Sequence, residues 1–404
     1  MPDSPTRAAP GRSPTKRRLS GVTRYAIVPL LLVAVGIRIG MYLERSRLPA
    51  PPVRPAQAPT RPDAAAPPRE ATPVAPAGRP ACEVMGSFEN NLYPSLLLSL
   101  AASYPDFSRW LTVAVRGLPA SGSLQLRIDS GLFVRPLQVG FDASSGSAAL
   151  NPELPWNFDA LRRTTQMGPQ SFVVTVLIDG QPEAEATLVG TVHSVNEAVS
   201  RVFNGASGQW QDTSMCFAAF VNEDHPWINA LLQEAMSGGA VRSFTGYQTG
   251  AQGAMAQAQA VWDALAARGL SYVNVATDSG TSATVSTQYV RFLDQSVHDQ
   301  GANCVDASVL FASVLRRIGL RPVLLFRPGH CFTGFYDTAD GSHLVAFETT
   351  MLGSATFGAA AAEGSKELQS TLPFLGTPQY SMVDIAQCRQ QGINPIPFEA
   401  GDHN

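Results

Sequence analysis

The sequence has little net charge and few cysteines, and each shortage excludes a class of function. Its 404 residues carry 29 Lys and Arg against 32 Asp and Glu, and this formal net charge of −3 gives no reason to expect a nucleic acid as partner. Its five cysteines include no C-x2-C pair of the kind that structural zinc sites use. The acidic D-x-[DN]-x-[DN]-G loop that binds calcium is also missing. We therefore expect neither a metal nor another cofactor.

The N-terminal part of the chain divides by composition into three segments. Residues 1–24 are polar and basic, and residues 25–43 are apolar except for Arg38 and long enough to span a bilayer. Residues 44–81 are rich in Pro and Ala, which is typical of an extended linker. These patterns predict a basic cytoplasmic tail, a single transmembrane anchor and a linker. The folded part would then lie on the periplasmic or extracytoplasmic side of a bacterial cell membrane; a cleaved secretory signal is the alternative.

The composition of residues 82–205 predicts a β-sandwich domain. Short runs that are apolar, or that alternate apolar with polar residues, are separated by turn signals such as Asp179-Gly180. Antiparallel strands at this spacing are typical of a sandwich. The only histidine of the segment, His193, lies in a strand pattern that favours a structural role. The runs in question are Leu124–Ile128, Val134–Phe141, Phe172–Ile178 and Ala184–His193.

Helical runs return in residues 206–404, and one stretch there carries the candidate chemistry. Asn303 suits the N-cap of a helix, Asp306 supplies a second acceptor in its first turn, and Gly319 suits its end. The run between them is apolar on nearly every face, so the helix should be buried. Cys304 occupies the first helical position, where free N–H groups and the helix dipole stabilise a thiolate and make it a better nucleophile.

Two strands after this helix should bring a histidine and an acid together. His330 opens the first strand and Glu348 closes the second, with a hairpin turn signal over Asp337–Gly341 between them. A turn centred on Ala339 places His330 directly opposite Glu348. Opposed residues share a face of the sheet, so the local pattern alone predicts a histidine–carboxylate pair. Only the approach of this pair to Cys304 depends on the tertiary fold.

These motifs resemble those of the transglutaminase-like superfamily. Ala302–Asp306 corresponds to the family's G-x-C-x-D, Gly329–Phe332 to its G-H-x-[WF], and Glu348–Thr350 to its D-x-T. Two positions depart from the family pattern. Ala302 replaces a glycine, and Glu348 replaces an aspartate and is one methylene longer. The likeness is strong over residues 302–350 and weaker over the rest of the C-terminal half.

The resemblance implies an α+β fold in which a papain-like domain packs a buried helix, with the nucleophile at its start, on an antiparallel sheet. It implies Cys304 as nucleophile, His330 as general base and Glu348 as the acid that orients the imidazole. The reaction would be acyl transfer from an amide of a protein or peptide substrate in the cell envelope. A thioester would form and be resolved by water in a peptidase or amidase, or by a lysine amine in a protein crosslinker. Gln288 is the candidate oxyanion donor, with Gln300 as its alternative.

Two other interpretations stay open. The departures from the family pattern favour a catalytically degenerate domain that serves as a binding or scaffold module in the cell envelope. A metal site is the competing chemistry, although strand alternation places one of its candidate ligands, Cys331, on the face opposite His330. The candidate ligands are Cys304, His330, Cys331 and His343.

The cysteine count bears on export. Five is an odd number, so an exported chain leaves at least one cysteine without an intramolecular partner. Cys304 is the natural one to stay free. A disulfide between Cys82 and Cys216 is a guess that the sequence does not decide.

Overall fold

The computed structural model describes residues 79–143, 146–204, 207–273, 282–377 and 379–397, and they fold as a mixed α+β protein. The expected α+β fold class is confirmed at this level. The strands are β1 (Ala81–Gly86), β2 (Asn91–Leu92), β3 (Leu111–Arg116), β4 (Leu124–Asp129), β5 (Leu137–Gly140), β6 (Ser147–Leu150), β7 (Gly168–Ile178), β8 (Gln181–Val192), β9 (Glu197–Asn204), β10 (Gln209–Asp212), β11 (Ser271–Tyr272), β12 (Val285–Tyr289), β13 (Gly301–Ala302), β14 (Arg321–Arg327), β15 (His330–Tyr336), β16 (Leu344–Phe347) and β17 (Ser381–Asp384). The helices are α1 (Pro94–Leu100), α2 (Phe158–Arg162), α3 (Pro226–Ser237), α4 (Gly250–Ala267), α5 (Leu293–His298), α6 (Cys304–Arg317), α7 (Phe357–Thr371) and α8 (Ile385–Gln390). Shorter helical turns lie at Ser87–Asn90, Pro105–Ser108, Ser214–Phe220, Thr349–Met351 and Leu372–Phe374.

Two sheets enclose one hydrophobic core in the first half of the described chain. The strand order is β2-β8-β7-β4-β5 in one sheet and β1-β3-β6 in the other. Apolar side chains from both sheets meet between them, among them Leu111 of β3 and Phe172 of β7, which are fully buried. Strand β7 continues into β8 through Asp179-Gly180, where both residues adopt the positive φ that a two-residue hairpin turn requires. The predicted hairpin turn is therefore confirmed.

The second half of the chain is built around α6 and an antiparallel sheet of order β16-β15-β14-β17. Helix α6 packs on β14 and β15. It is buried on both sides, because Val305 and Val309 enter one hydrophobic cluster while Leu310 and Phe311 enter another around Trp262 of α4. The predicted buried helix is thus confirmed, and it holds the start of α6 beside the sheet.

Strand β9 connects the two halves. It pairs with β10 on one edge and with β12 on the other, both antiparallel. The fully buried side chain of Asn196, just before β9, donates hydrogen bonds to the carbonyl of Val290 and to Gln295 Oε1, each at 2.7 Å. The predicted boundary after residue 205 falls between the paired strands β9 and β10. The division into domains 82–205 and 206–404 stays a prediction.

The predicted single-pass membrane localisation has to be corrected. A helix needs about 20 largely apolar residues to cross a bilayer. In the part of the chain that the structure describes, no helix combines that length with that apolarity. The longest described helix, α4, has 18 residues, and its apolar side chains pack into the core of the protein. The segments predicted as tail and anchor, residues 1–24 and 25–43, lie outside the described residues, as does nearly all of the predicted linker.

Two smaller expectations also need correction. The sequence predicts a last helix over Tyr380–Gln391, before Gly392, but the structure has strand β17 followed by the shorter helix α8, because backbone pairing of β17 with β14 competes with helix formation there. The guessed disulfide between Cys82 and Cys216 does not form, since both thiols are free. Their side chains belong to two different hydrophobic clusters.

Candidate active site

Cys304 begins α6, as the sequence predicts. The Asn303 side chain accepts hydrogen bonds from the N–H groups of Val305 and Asp306, both at 2.9 Å. The Asp306 carboxylate accepts in return from the Asn303 N–H at 3.1 Å. This capping box fixes the first turn and leaves the half-buried Cys304 thiol at the positive end of the helix dipole, where a thiolate is stabilised.

Asp306 serves the helix start rather than the chemistry. Its buried carboxylate accepts hydrogen bonds from the Arg291 N–H at 2.7 Å and from Arg291 Nη1 at 2.9 Å. Burial raises the pKa of Asp306, although the hydrogen bonds from Arg291 and Asn303 act in the opposite direction. These bonds tie the nucleophile's helix to the segment that follows β12.

His330 and Glu348 come together, but the predicted register is wrong. His330 Nε2 lies 2.7 Å from Glu348 Oε2. Gly334 pairs with Ala346, so β15 and β16 are offset by two residues from the predicted pairing. An even offset keeps every side chain on its own face of the sheet, which is why Glu348 still reaches His330. The contact is diagonal instead of directly opposed.

The Glu348 carboxylate is fixed at both of its oxygens. Oε1 accepts a hydrogen bond from the Thr350 N–H at 2.8 Å and thereby caps the helical turn Thr349–Met351, while Oε2 faces the imidazole. The backbone N–H of Glu348 donates to the carbonyl of Ala360 in α7 at 3.0 Å. The carboxylate that orients His330 is therefore itself held by two elements.

Buried hydroxyl groups hold the start of α6 against the sheet. Ser308 donates to the carbonyl of Cys304 at 2.7 Å, and its oxygen lies 3.1 Å from Thr349 Oγ1. Thr333 of β15 donates to the carbonyl of Ser308 at 3.0 Å. The thiol-bearing turn is thus connected to both strands that supply His330 and Glu348.

The electrostatics favour a protonated histidine beside the thiol. Burial would lower the pKa of His330, but polar interactions with Cys304, Glu348 and Glu367 outweigh it and raise the pKa to about 12. Burial would raise the pKa of Glu348, but hydrogen bonds from His330 and Thr350 outweigh it and lower the pKa to about 2. An imidazolium beside a cysteine side chain can support nucleophilic chemistry.

Both amides suggested by the sequence donate to backbone carbonyls, and their role at the thiol stays a prediction. Gln288 Nε2 donates to the carbonyl of Tyr289 at 3.1 Å, and Gln300 Nε2 donates to the carbonyl of Arg268 at 3.2 Å. The capping box occupies the next two N–H groups of α6, whereas the N–H of Cys304 has no acceptor among the described residues. The backbone of Cys304 is therefore the donor available for an oxyanion.

Sequence reasoning missed a second carboxylate, Glu367, at the histidine. Glu367 Oε2 lies 3.4 Å from His330 Nε2, and Glu367 Oε1 lies 3.9 Å from Arg327 Nη1. The signal was present in α7, where Phe357, Ala360 and Gly364 follow a helical period on the packed face. Glu367 comes one turn later on that face, where an acid is unusual.

Tyr272 is the other neighbour that the sequence did not reveal. Its ring is 38% exposed on β11, which runs parallel to β13 just before Cys304. Burial raises the pKa of Tyr272, the charges of Cys304 and Glu348 raise it further, and that of His330 lowers it. These interactions place the phenol at the rim of the site, where it can contact a substrate.

The possible metal ligands that lie close together in the structure differ, apart from His330, from those that the sequence suggested. Cys331 is buried in the hydrophobic cluster behind the sheet, and His343 pairs with Asp337 at 2.9 Å in the hairpin loop. Ligand atoms of His330, Glu348 and Glu367 do lie within 4.8 Å of one another. We assign no metal to them, because His330 Nε2 and Glu348 Oε2 are in direct hydrogen-bond contact at 2.7 Å.

Comparison with known proteins adds no family assignment. A scan of the sequence against protein-family models found no match. A search of curated proteins found none either. The geometry of the site therefore has to carry the functional argument.

Proposed function

We propose that this chain is a thiol acyl-transfer enzyme of the transglutaminase-like type that acts on an amide of a protein or peptide. Cys304, His330 and Glu348 are its proposed catalytic triad. One observation supports it most: His330 Nε2 lies 2.7 Å from Glu348 Oε2, and Cys304 at the start of α6 is among the groups that raise the pKa of the same ring. In this proposal, α6 and the sheet β16-β15-β14-β17 form a papain-like core, and the two sheets of the first half form a β-sandwich.

The proposed acylation step uses each residue in one role. The Cys304 thiolate attacks the amide carbonyl carbon, and the carbonyl π electrons move to oxygen, where the N–H of Cys304 can stabilise the oxyanion. The His330 imidazolium gives its proton to the leaving nitrogen as the C–N bond breaks. A thioester and a free amine result, and Glu348 keeps the ring oriented throughout.

The deacylation step decides between two activities. The neutral His330 accepts a proton from water or from a lysine amine as that nucleophile attacks the thioester carbonyl. Collapse of the intermediate breaks the C–S bond and restores the thiolate. Water yields a carboxylic acid, which makes the enzyme a peptidase or amidase, whereas an amine yields a new amide, which makes it a crosslinker.

An acylation burst tests the shared first step. We expect the full chain to release p-nitrophenol from p-nitrophenyl acetate in a burst, with acetyl mass on Cys304. Cys304→Ala should abolish both, and Cys82→Ala, which removes another half-buried thiol, should change neither. Absence of a Cys304 adduct in a folded protein would contradict the proposal. Casein with a fluorescent amine then separates transfer from hydrolysis.

One observation favours the second candidate, a degenerate binding or scaffold module. Both candidate amide donors, Gln288 and Gln300, already donate to backbone carbonyls through Nε2. A module of this kind would bind a peptide without turning it over. It would retain peptide affinity in Cys304→Ala and show no burst in the unsubstituted protein.

A further inference from the structure

One nitrogen of His330 faces two carboxylates. Nε2 lies 2.7 Å from Glu348 Oε2 and 3.4 Å from Glu367 Oε2. The second separation is long for a hydrogen bond but short for a charge interaction. Glu367 Oε2 is shielded from solvent and has no hydrogen-bond partner among the described residues. Its closest cationic neighbour is therefore the ring itself.

The packing of α7 on β16 keeps Glu367 beside His330. At Gly364 the helix approaches β16 so closely that a Cβ atom would overlap the backbone of Phe347. Glu367 follows one helical turn later and is only 19% exposed in its side chain. Arg327, which pairs with His330 across the hairpin of β14 and β15, meets its other oxygen at 3.9 Å.

We propose that Glu367 is a positioning residue that holds His330 in its protonated form beside Cys304, so that the site uses two carboxylates on one imidazole. The catalytic meaning of this inference rests on the proposed function; the charge arrangement does not. Glu348 fixes the ring through a short hydrogen bond, and Glu367 adds a second negative charge from α7.

Charges from each neighbouring element set the protonation of the ring. Glu348 and Glu367 favour the imidazolium, as does a thiolate at Cys304, and Arg327 opposes it. Tyr272 adds a phenol at the rim and no charge near neutral pH. Burial would lower the pKa of His330, yet that pKa is raised, in keeping with more than one acid acting on it. Arg327 offsets part of the charge of the second carboxylate.

Removing the negative charge of Glu367 and removing the positive charge of Arg327 should shift the titration midpoint of His330 in opposite directions. Glu367→Gln keeps the shape and loses the charge, so His330 should release its proton at lower pH, with a proton affinity reduced about tenfold or more, which is one pKa unit. Arg327→Gln should shift the titration midpoint of His330 to higher pH. Glu367→Asp retains the charge farther away and should give an intermediate shift.

The test is histidine-selective NMR titration of the full chain, with His330 assigned through His330→Gln. Glu363→Gln is the matched control, because Glu363 lies on the same helix and pairs instead with the exposed Lys366. We expect it to leave the His330 midpoint unchanged. The pH profile of Cys304 alkylation by iodoacetamide should move with the His330 midpoint in each variant.

The outcomes distinguish this inference from the proposed activity. An unchanged His330 midpoint in folded Glu367→Gln overturns the inference, even if the acylation burst is present. Shifted midpoints in a protein without any burst support the inference while the proposed function fails. If Glu367→Gln does not fold, Glu367→Asp decides: a shift of the His330 midpoint to lower pH supports the second carboxylate, and no shift overturns it.

Discussion

At the scale of single residues, the length of the Glu348 side chain departs from the family pattern. The resemblance favours aspartate, whereas the longer Glu348 makes a diagonal contact with His330 at 2.7 Å. Glu348→Asp should still cap the turn Thr349–Met351, because aspartate caps well, and so keep the melting temperature. We expect the acylation burst to slow roughly tenfold or more as the ring loses its orientation. An unchanged burst rate would show that the contact does not orient His330.

The same pair should give the protein a defined pH range of stability. A pKa of His330 raised to about 12 contributes stability fully below the unfolded value of about 6.5, and this is lost as pH rises toward 12. A pKa of Glu348 lowered to about 2 contributes above the unfolded value of about 4.3, and this is lost as pH falls toward 2. The stability advantage over the double variant His330→Gln/Glu348→Gln should therefore be greatest between about pH 4.5 and 6.5. Denaturant melts across pH measure it, and an advantage that grew above pH 7 would contradict the assignment.

At the scale of elements, the contact between α7 and β16 should be sensitive to a single methyl group. Gly364→Ala would place Cβ against the backbone of Phe347 and should cost about 1–3 kcal/mol, with α7 and Glu367 displaced from His330. Gly358→Ala, in the same helix, meets nothing within 4 Å and should stabilise the helix by about 0.5–1 kcal/mol. Thermal melts of the two variants measure the difference. Equal effects of the two substitutions would mean that the close approach does not exist in solution.

Local signals explain which elements the sequence predicts well. The capping residues Asn303 and Asp306 and the terminal Gly319 define α6 with its nucleophile, because caps act within one turn. The histidine–acid pair was predicted for a partly wrong reason. Strand alternation fixes the face of the sheet on which a residue lies, whereas the length of the hairpin loop fixes its partner on the other strand. An offset of two residues changed the partner of His330 but not the face on which it lies.

Residues brought by distant elements lie beyond such signals. Glu367 reaches His330 only because α7 packs on β16, and Tyr272 reaches the rim only because β11 pairs with β13. Gln288 has a suitable spacing from Cys304, and its amide bonds the carbonyl of Tyr289, so its role as oxyanion donor stays a prediction. Motif spacing cannot report which of several polar groups a side chain will meet.

At the scale of the whole molecule, the compositional boundary near residue 205 does not coincide with a break in packing. Strand β9 lies before it but pairs with β10 and β12, which lie after it. One hydrophobic cluster contains residues from α1, β9, the turn Ser214–Phe220 and α6. The half of the chain that contains the candidate site therefore shares a strand and part of its core with the first half.

This dependence predicts different results for cutting the chain and for shortening it. With a protease site inserted between Asn204 and Ser207, the two pieces should stay together after cleavage, because β9 remains paired on both edges and Asn196 keeps its bonds to Val290 and Gln295. A fragment that begins at Ser207 lacks β9, leaves the edge of β12 unpaired and exposes apolar surface. We expect it to aggregate or to lose its cooperative melt.

Size-exclusion chromatography of the cleaved protein and thermal melts of the fragment distinguish the possibilities. Separate elution of the pieces, with a cooperative melt of the Ser207 fragment alone, would show that the half with the candidate site folds independently. Asn196→Ala in the uncut chain provides a milder version of the same test. It leaves the buried Val290 carbonyl without its donor and should cost about 1–3 kcal/mol, which would make the cleaved pieces come apart more easily on heating.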